Sequence, residues 1–199
     1  MTKVIFDVSM SLDGFMTASN LSADEPMGDG GQQLHDWARS DKDARGVEVL
    51  KAELEREGAT ITGRRTYDTS IRWWGADGPS GAARVPVIVV SHSTPESVPT
   101  GGVYTFIDGI EDALEAAKRA AGHKDVSVMG GAQIGQQFIK AGLVDEIFIH
   151  LVPVLFGNGT RMFDHIGGEH IQLETTEVVD GPTATHLRFR VLNEGASNV

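Results

Sequence analysis

The chain of 199 residues has no cysteine and few basic side chains. The lack of cysteine excludes disulfides, thiolate metal sites and a cysteine nucleophile, and it is typical of a reducing compartment. The 17 Lys and Arg residues are outnumbered by 28 Asp and Glu, which gives a formal net charge of −11. A non-specific nucleic-acid binder needs a basic face, so we expect no nucleic-acid partner. Individual arginines must therefore bind any phosphate group.

Long apolar runs are missing as well. No stretch approaches the ~20 residues of a membrane span, and Asp7 interrupts the first apolar segment before it reaches the length of a secretory signal. We expect a cytoplasmic protein with no membrane partner. The 7 histidines show no metal-ligand spacing, so no metal site is expected. We assign residues 1–192 to a single compact domain and residues 193–199 to a flexible tail.

Strand and helix patterns alternate along most of the chain, which predicts an α/β fold with a mixed sheet and helices on both faces. The last two predicted strands, 171–179 and 183–192, alternate apolar and polar residues around a Gly-Pro turn, as is typical of an antiparallel hairpin. Two helix starts are predicted from capping residues. Ser40 is expected to cap the second helix of the chain. Asp108 is expected to cap the helix that begins just after residue 108.

Three short polar segments each follow a predicted strand. They are Thr-Gly-Arg-Arg-Thr-Tyr at 62–67, Val-Val-Ser-His-Ser at 89–93 and Val-Met-Gly-Gly-Ala-Gln-Ile-Gly at 128–135. Ligands of open α/β sheets bind outside the carboxyl ends of the strands, so these segments are expected to share one site. Arginine side chains in the first segment and backbone N–H groups at the glycines of the third are suited to phosphate.

The glycine-containing segment 130–135 allows two interpretations. It lacks the spacing of an ordinary Rossmann loop, the acidic residue about 20 positions on, and the Gly-Lys-Ser/Thr of a P-loop. Its placement between a strand and a helix still favours an anion at the helix start. The alternative is that Gly130 and Gly131 only allow the helix to pack closely on the strand.

The arginine pair is open to two interpretations too. Arg64 and Arg65 are either ordinary surface charge or phosphate ligands, and the dipole at a helix start disfavours two cations there unless an anion is bound. Thr66 offers a hydroxyl donor. Ser91, with His92 and Ser93, either completes a cup for a 2′-phosphate or forms a simple turn.

Ordered motifs along nearly the whole chain resemble the RibD C-terminal reductase family of riboflavin biosynthesis, within the dihydrofolate-reductase superfamily. The motifs are Val8-Ser9-Met10-Ser11-Leu12-Asp13-Gly14-Phe15, Gly63-Arg64-Arg65-Thr66-Tyr67, Val89-Val90-Ser91, Val128-Met129-Gly130-Gly131-Ala132 and Val152-Pro153-Val154-Leu155-Phe156-Gly157-Asn158-Gly159. The resemblance implies a dihydrofolate reductase-like, mostly parallel sheet, NADPH as the cofactor and, frequently, a homodimer.

The resemblance also implies which residues surround the cofactor. The adenosine phosphates would be bound by Gly63, Arg64, Arg65, Thr66 and Ser91, and the pyrophosphate by Gly130, Gly131, Ala132, Gln133 and Ile134. Gly157 would lie on the nicotinamide side.

Candidate catalytic residues are two acids. The resemblance puts Asp13 near the reacting end of the cleft, although it also has the form of the Asp of an Asp-Gly turn. Asp36 lies in a stretch roughly comparable to the first helix of dihydrofolate reductases, where an acid binds the pterin; it equally suits a solvated helix position. Phe15, Trp37 and Trp74 are expected to line a pocket for a planar heterocycle, with core or dimer contacts as the alternative.

These observations predict a reductase that transfers hydride from NADPH to a small heterocyclic substrate, resembling 5-amino-6-(5-phosphoribosylamino)uracil reductase. Activity on a pterin, as in dihydrofolate reductase, is the first alternative. A non-catalytic NADP(H)-binding sensor or partner protein is an alternative of another class. The zinc-dependent deaminase half of the bifunctional riboflavin enzyme is not expected, because its Cys-containing motif is absent.

Overall fold

A computed structural model describes residues 2–22, 24–39 and 41–192. The strands are β1 (Val4–Ser11), β2 (Phe15–Thr17), β3 (Glu57–Gly63), β4 (Val87–Val90), β5 (Tyr104–Ile107), β6 (Asp125–Val128), β7 (Glu146–Val152), β8 (Thr160–Arg161), β9 (Gln172–Asp180) and β10 (Thr185–Leu192). The α-helices are α1 (Ala44–Arg56), α2 (Arg64–Trp74), α3 (Ile110–Ala121) and α4 (Ala132–Lys140). Gly31–Ala38 and Gly81–Ala83 form 3-10 helices. The tail predicted at 193–199 lies outside the described residues.

In the described part of the chain, eight strands form one sheet in the order β5-β4-β3-β6-β1-β7-β10-β9, and β2 pairs separately with β8. Strands β1 and β3 to β7 run parallel to one another, whereas β10 runs antiparallel to both β7 and β9. The predicted fold class is confirmed: the sheet is mixed and mostly parallel, and its last two strands form an antiparallel hairpin.

One face of this sheet, which we call the apolar face, holds the main core. Phe6 of β1, Val128 of β6 and Ile61 of β3 pair side by side in the sheet and are fully buried. Helices α3 and α4 cover this face, with Ala117 and Phe138 among the buried residues of the same cluster. Burial of these apolar side chains is the main favourable contribution to folding.

The opposite face, the polar face, is covered in two separate places. Tyr67 of α2 packs on Val87 and Val89 of β4. Farther along the same face, Trp37 of the first 3-10 helix donates from Nε1 to the Ser9 hydroxyl of β1 at 2.9 Å. Side chains alternate along strands, so the strands between these two helical layers direct polar groups to this face: Asp7, Thr60, Thr62 and Ser127. Central parallel strands are usually apolar on both faces, so this polar strip is a candidate binding region.

Both predicted capping residues are wrong. Helix α1 begins at Ala44, and its cap is Asp43, whose carboxylate accepts from the Gly46 amide at 2.8 Å; Ser40 itself lies outside the described residues. Helix α3 begins after Gly109, which has φ 82° and no capping side chain. The Asp108 carboxylate instead lies 2.7 Å from Nδ1 of His92. A side-chain cap was not needed where glycine supplies the turn.

Gly135 of α4 packs directly on the Phe6 ring, and a Cβ at this position would lie 2.1–2.7 Å from three ring atoms. Alanine normally stabilises a helix interior relative to glycine by up to ~1 kcal/mol. We expect Gly135→Ala to lower the free energy of unfolding by about 1–3 kcal/mol instead, because the ring must move. Denaturant unfolding checks this, with Gly168→Ala as the control since Gly168 has open space around its Cα. Equal stability of both variants and the wild type would contradict the packing account.

Candidate active site

The three segments that follow β3, β4 and β6 lie next to one another at the carboxyl edge of the sheet. Gly63 pairs with Val90, the last residue of β4, and Ile61 pairs with Val128, the last residue of β6. The structure therefore brings together Arg64, Ser91 and Gly130, as the sequence predicts. Helices α2 and α4 both begin at this edge, so their N-terminal dipoles point toward one region.

The glycine pair connects β6 to α4 and packs against the start of α2. Gly130 has φ +90°, and a Cβ there would lie 2.7–2.8 Å from side-chain atoms of Thr66 and Thr62. The Gly131 amide donates to the Thr66 hydroxyl at 2.8 Å. Both interpretations of the glycines thus have structural support, because the close packing itself forms the concave edge. Because the Gly131 N–H is bonded to Thr66, the amides of the first turn of α4 that can still bind a ligand are those of Ala132 and Gln133.

Arg64 links α2 to the end of β4. Its Nη1 donates to the Ser91 hydroxyl at 3.2 Å and to the Ser93 carbonyl at 2.9 Å. Its Nε faces both carboxylate oxygens of Asp68, at 2.8 and 2.9 Å. Asp68 is thus the anion that offsets the cation at the helix start, a partner that the sequence did not predict. Arg65 is exposed, and within the described residues no carboxylate pairs with it.

Thr62 supplies a further polar group at this edge. Its hydroxyl is fully buried beside Gly130 and has no hydrogen-bond partner within the described part of the chain. Buried hydroxyl groups are normally bonded, so Thr62 is an unsatisfied polar group directly behind the Gly130 turn. Together with the Gly130 concavity and the Arg64–Ser91 contact, this group fits a phosphate-bearing cofactor.

Asp13 connects the turn after β1 to the loop after β7. Its carboxylate accepts from the Ser11 hydroxyl at 2.7 Å and from the amides of Phe156 at 3.1 Å and Gly157 at 2.7 Å. The bond from Ser11, followed by those from Gly157 and Phe156, lowers the pKa of Asp13 to about 2. Asp13 is therefore a carboxylate at neutral pH, which favours holding the Gly157 loop over donating a proton. We call these bonds the Asp13 anchor.

The other predicted acid and the predicted pocket aromatics lie in different surroundings. Asp36 is half-buried, with Oδ2 2.6 Å from the Lys42 ammonium. Phe15 is buried beneath the Arg161 guanidinium, whose carbon lies 4.5 Å from the ring centroid. Trp37 is buried against His150. Trp74 ends α2, about 15 Å along the helix from Arg64, so it is not brought to the strand-end site.

One buried polar cluster was missed in the sequence. His150 of β7 and His186 of β10 are in contact through their Nδ1 atoms at 2.7 Å, and His150 Nε2 lies 2.9 Å from Asp7 Oδ1. Both rings are almost completely buried. The sequence offered one signal, a histidine inside the apolar segment Glu146–Val152. Its pairing with His186 could not be predicted, because it depends on the register between β7 and β10. Within the described residues, no group of three or more potential ligands is arranged to hold a metal ion.

With this geometry in view, comparison with known proteins identifies the family. The chain belongs to the RibD C-terminal domain family, which matches residues 2–187. The resemblance inferred from the motifs is thereby confirmed. A relative from Bacillus subtilis (strain 168), named "Uncharacterized protein YyaP", is 24% identical over 172 residues, which are 81% of this chain and 80% of the relative.

Solved structures share the fold. A putative riboflavin biosynthesis protein from Shewanella sp. PV-4 has a TM-score of 0.72 at 21% identity, covering 96% of this chain and 100% of that chain. A Thermotoga maritima deaminase/5-amino-6-(5-phosphoribosylamino)uracil reductase has a TM-score of 0.66 at 14% identity, covering 96% of this chain and 57% of that one. A pyrimidine reductase-like protein from Corynebacterium diphtheriae gives 0.62 at 15% identity, over 97% and 93%. Family and fold support a reductase of this kind.

Among the helices of the described residues, none is long and apolar enough to cross a membrane.

The Asp13 anchor predicts how the Gly157 loop responds to substitution. Asp13→Ala removes the acceptor of the Phe156 and Gly157 amides, so their hydrogen exchange should accelerate about tenfold or more. Because the pKa of Asp13 is lowered to about 2, the anchor should persist at neutral pH and weaken only as pH falls below about 4 toward 2. Amide exchange measured by NMR checks both. Asp36→Ala is the control, and unchanged exchange in the Asp13 variant would disprove the anchor.

Proposed function

We propose that the protein is an NADPH-dependent reductase of a small heterocyclic substrate. The observation that supports it most is the junction of Gly130, Thr66, Arg64 and Ser91 at adjacent strand ends in a chain of the RibD C-terminal domain family. This junction combines a concave backbone, two helix N-termini and a guanidinium, which are the groups that bind phosphates of a dinucleotide.

The residues are assigned to the cofactor as follows. Arg64 and Ser91 would bind the 2′-phosphate, with Arg65 and Gly63 beside them, and Thr66 would still have its hydroxyl proton to donate. The free amides of Ala132 and Gln133 would bind the pyrophosphate, with Ile134 in the same helical turn. Gly157, positioned by the Asp13 anchor, would border the nicotinamide. NADPH supplies the hydride when bound, and the chain orients the reactants and excludes water.

The substrate is proposed to be a pyrimidine such as 5-amino-6-(5-phosphoribosylamino)uracil, for which the reductase from Thermotoga maritima is named. A phosphorylated substrate needs a cation near the reacting end. Arg161 lies over Phe15 and contacts the Asp13 carbonyl, and in the described part of the chain it has no carboxylate partner. Arg72 and Arg84, by contrast, pair with Asp24 and Asp77. A pterin remains the alternative substrate.

The remaining proposals concern location and assembly. We propose that the protein is cytoplasmic and that it forms a homodimer, the second as the family resemblance implies. Strand β9 is at the edge of the sheet, and its first seven residues are all exposed. Such an edge is available to pair with a second copy of the chain.

Cofactor selectivity tests the assignment of Arg64. We expect NADPH to bind about ten- to a hundredfold more tightly than NADH, because a charge-assisted arginine–phosphate contact contributes roughly 1.5–3 kcal/mol. Arg64→Ala should remove most of the difference, and Asp68→Asn should enlarge it by releasing Arg64 from its carboxylate partner. Fluorescence titration of both cofactors measures this. Arg190→Ala, on β10, is the matched control. Equal affinities of the wild type for NADPH and NADH would refute the assignment.

Turnover tests the reductase itself. Single-turnover oxidation of NADPH, followed by absorbance with a series of aminopyrimidines and pterins, should reveal a substrate. Asp13→Asn should slow the reaction by ~10²–10³-fold if the Gly157 loop must be held in place, with NADPH affinity little changed. If NADPH binds tightly and no member of the series oxidises it, the non-catalytic sensor becomes the better account.

A further inference from the structure

The buried histidine pair bears on a third acid, Asp7, which the site described above does not use. Phe6, Val128 and Ile61 form one row of paired residues across β1, β6 and β3. Asp7 follows Phe6 on β1 and so lies one row closer to the carboxyl edge of the sheet. The following row therefore contains Asp7, Met129 and Thr62, and the residues that come next on the two neighbouring strands are Gly130 and Gly63. Asp7 thus lies in the polar strip, immediately below the edge where the cofactor residues meet.

Asp7 differs from the other two acids in what its carboxylate contacts. The oxygens of Asp13 are occupied by Ser11, Phe156 and Gly157. Asp36 is paired with Lys42. Asp7 accepts at Oδ1 from His150, whereas in the described residues no group donates to Oδ2, and a quarter of its side chain is accessible. Asp7 therefore has an acceptor oxygen free to receive a ligand.

The two histidines fix the orientation of this carboxylate. A carboxylate is only an acceptor, so the Nε2 of His150 that faces it carries a proton. The short Nδ1–Nδ1 contact between His150 and His186 holds a single proton, since two would repel and none would leave two lone pairs facing each other. Burial, and then the nearby His150, lowers the pKa of His186 to about 4, so His186 is neutral at pH 7.

The ring of His150 is itself held on both sides. The Trp37 ring stacks on it at 3.9 Å between centroids, and the Phe148 ring meets it edge-on at 4.6 Å. Trp37 is in turn fixed by its hydrogen bond to Ser9. A ring so constrained presents its Nε2–H in one direction, which suits a residue that positions another group.

We propose that Asp7 is the substrate-binding acid of the cleft and that His150, backed by His186 and Trp37, is its positioning residue. The free oxygen of Asp7 selects a heterocycle that presents N–H groups, such as an aminopyrimidine edge, and disfavours a carboxylate or phosphate at this point. This assignment rests on the proposed function, since it takes the polar strip as the substrate cleft. It replaces neither Asp13 nor the cofactor residues.

The test uses 2,4-diaminopyrimidine as the probe, titrated calorimetrically into the protein saturated with NADPH. The wild type should bind the probe, and Asp7→Asn should weaken its binding about ten- to a hundredfold, the effect of losing a charge-assisted hydrogen bond. Asp112→Asn, the matched control at an exposed acid of α3 on the opposite face of the sheet, should change it less than twofold. NADPH affinity, measured separately, should be equal in all three proteins.

The outcomes separate this inference from the proposed function. If NADPH binds but the probe binds wild type and Asp7→Asn alike, or does not bind the wild type at all, the role of Asp7 is refuted and the reductase proposal stands. If NADPH fails to bind, the reductase proposal fails, and the same titration without NADPH decides whether Asp7 binds the probe.

The role of His150 needs a readout that a purely structural residue would not give. His150→Gln retains an N–H near the position of Nε2 and should keep probe affinity within about threefold, whereas His150→Leu should weaken it as much as Asp7→Asn. If the leucine variant does not fold, ¹⁵N spectra of the wild-type histidine rings decide. A protonated Nε2 on His150 and one shared proton between the Nδ1 atoms are expected, and an unprotonated Nε2 would overturn the proposal.

Discussion

The site depends on the contact between the end of β6 and the start of α2. Gly130 takes a positive φ and lies so close to Thr62 and Thr66 that no Cβ fits, and the Gly131 amide is bonded to the Thr66 hydroxyl. This contact sets the distance between the N-termini of α2 and α4. Arg64 then reaches Ser91 on β4 from the first turn of α2. The groups assigned to the cofactor are thus oriented by packing before any ligand binds, which reduces the entropy that binding must overcome.

A second constraint acts at the other end of the cleft. The Asp13 anchor fixes the Gly157 loop against β1, and the backbone of Leu12 donates to the Val154 carbonyl at 2.9 Å in the same region. Leu12 and Leu155 are left exposed there, at 60% and 69%. The carboxyl ends of β1 and β7, which are neighbours in the sheet, therefore form one rigid border with apolar side chains on its rim, a suitable edge for a planar heterocycle.

How much the sequence could predict follows from the range of each interaction. Strand periodicity and local glycine and arginine patterns placed Arg64, Ser91 and Gly130 at strand ends, and parallel pairing then brought them together. Asp68 was missed as the partner of Arg64, since an i,i+4 ion pair at a helix start looks like ordinary surface charge. The pairing of His150 with His186 was beyond prediction because it depends on the register between β7 and β10. Trp37 was predicted to line a pocket, but its ring is buried and stacks on His150. This position depends on tertiary packing, which the local sequence does not show.

The most direct test of the account is a map of backbone amide shifts as NADPH is added to the ¹⁵N-labelled protein. The central claim is that the joined ends of β3, β4 and β6 are a preformed binding edge for a phosphorylated dinucleotide. The account predicts that the largest shifts cluster at Gly63–Thr66, Ser91 and Gly130–Gln133, with smaller changes near Gly157. Shifts centred on the groove lined by Arg45 and Glu48 of α1 and by Glu177 and Val179 of β9, or no saturable shifts at all, would contradict it.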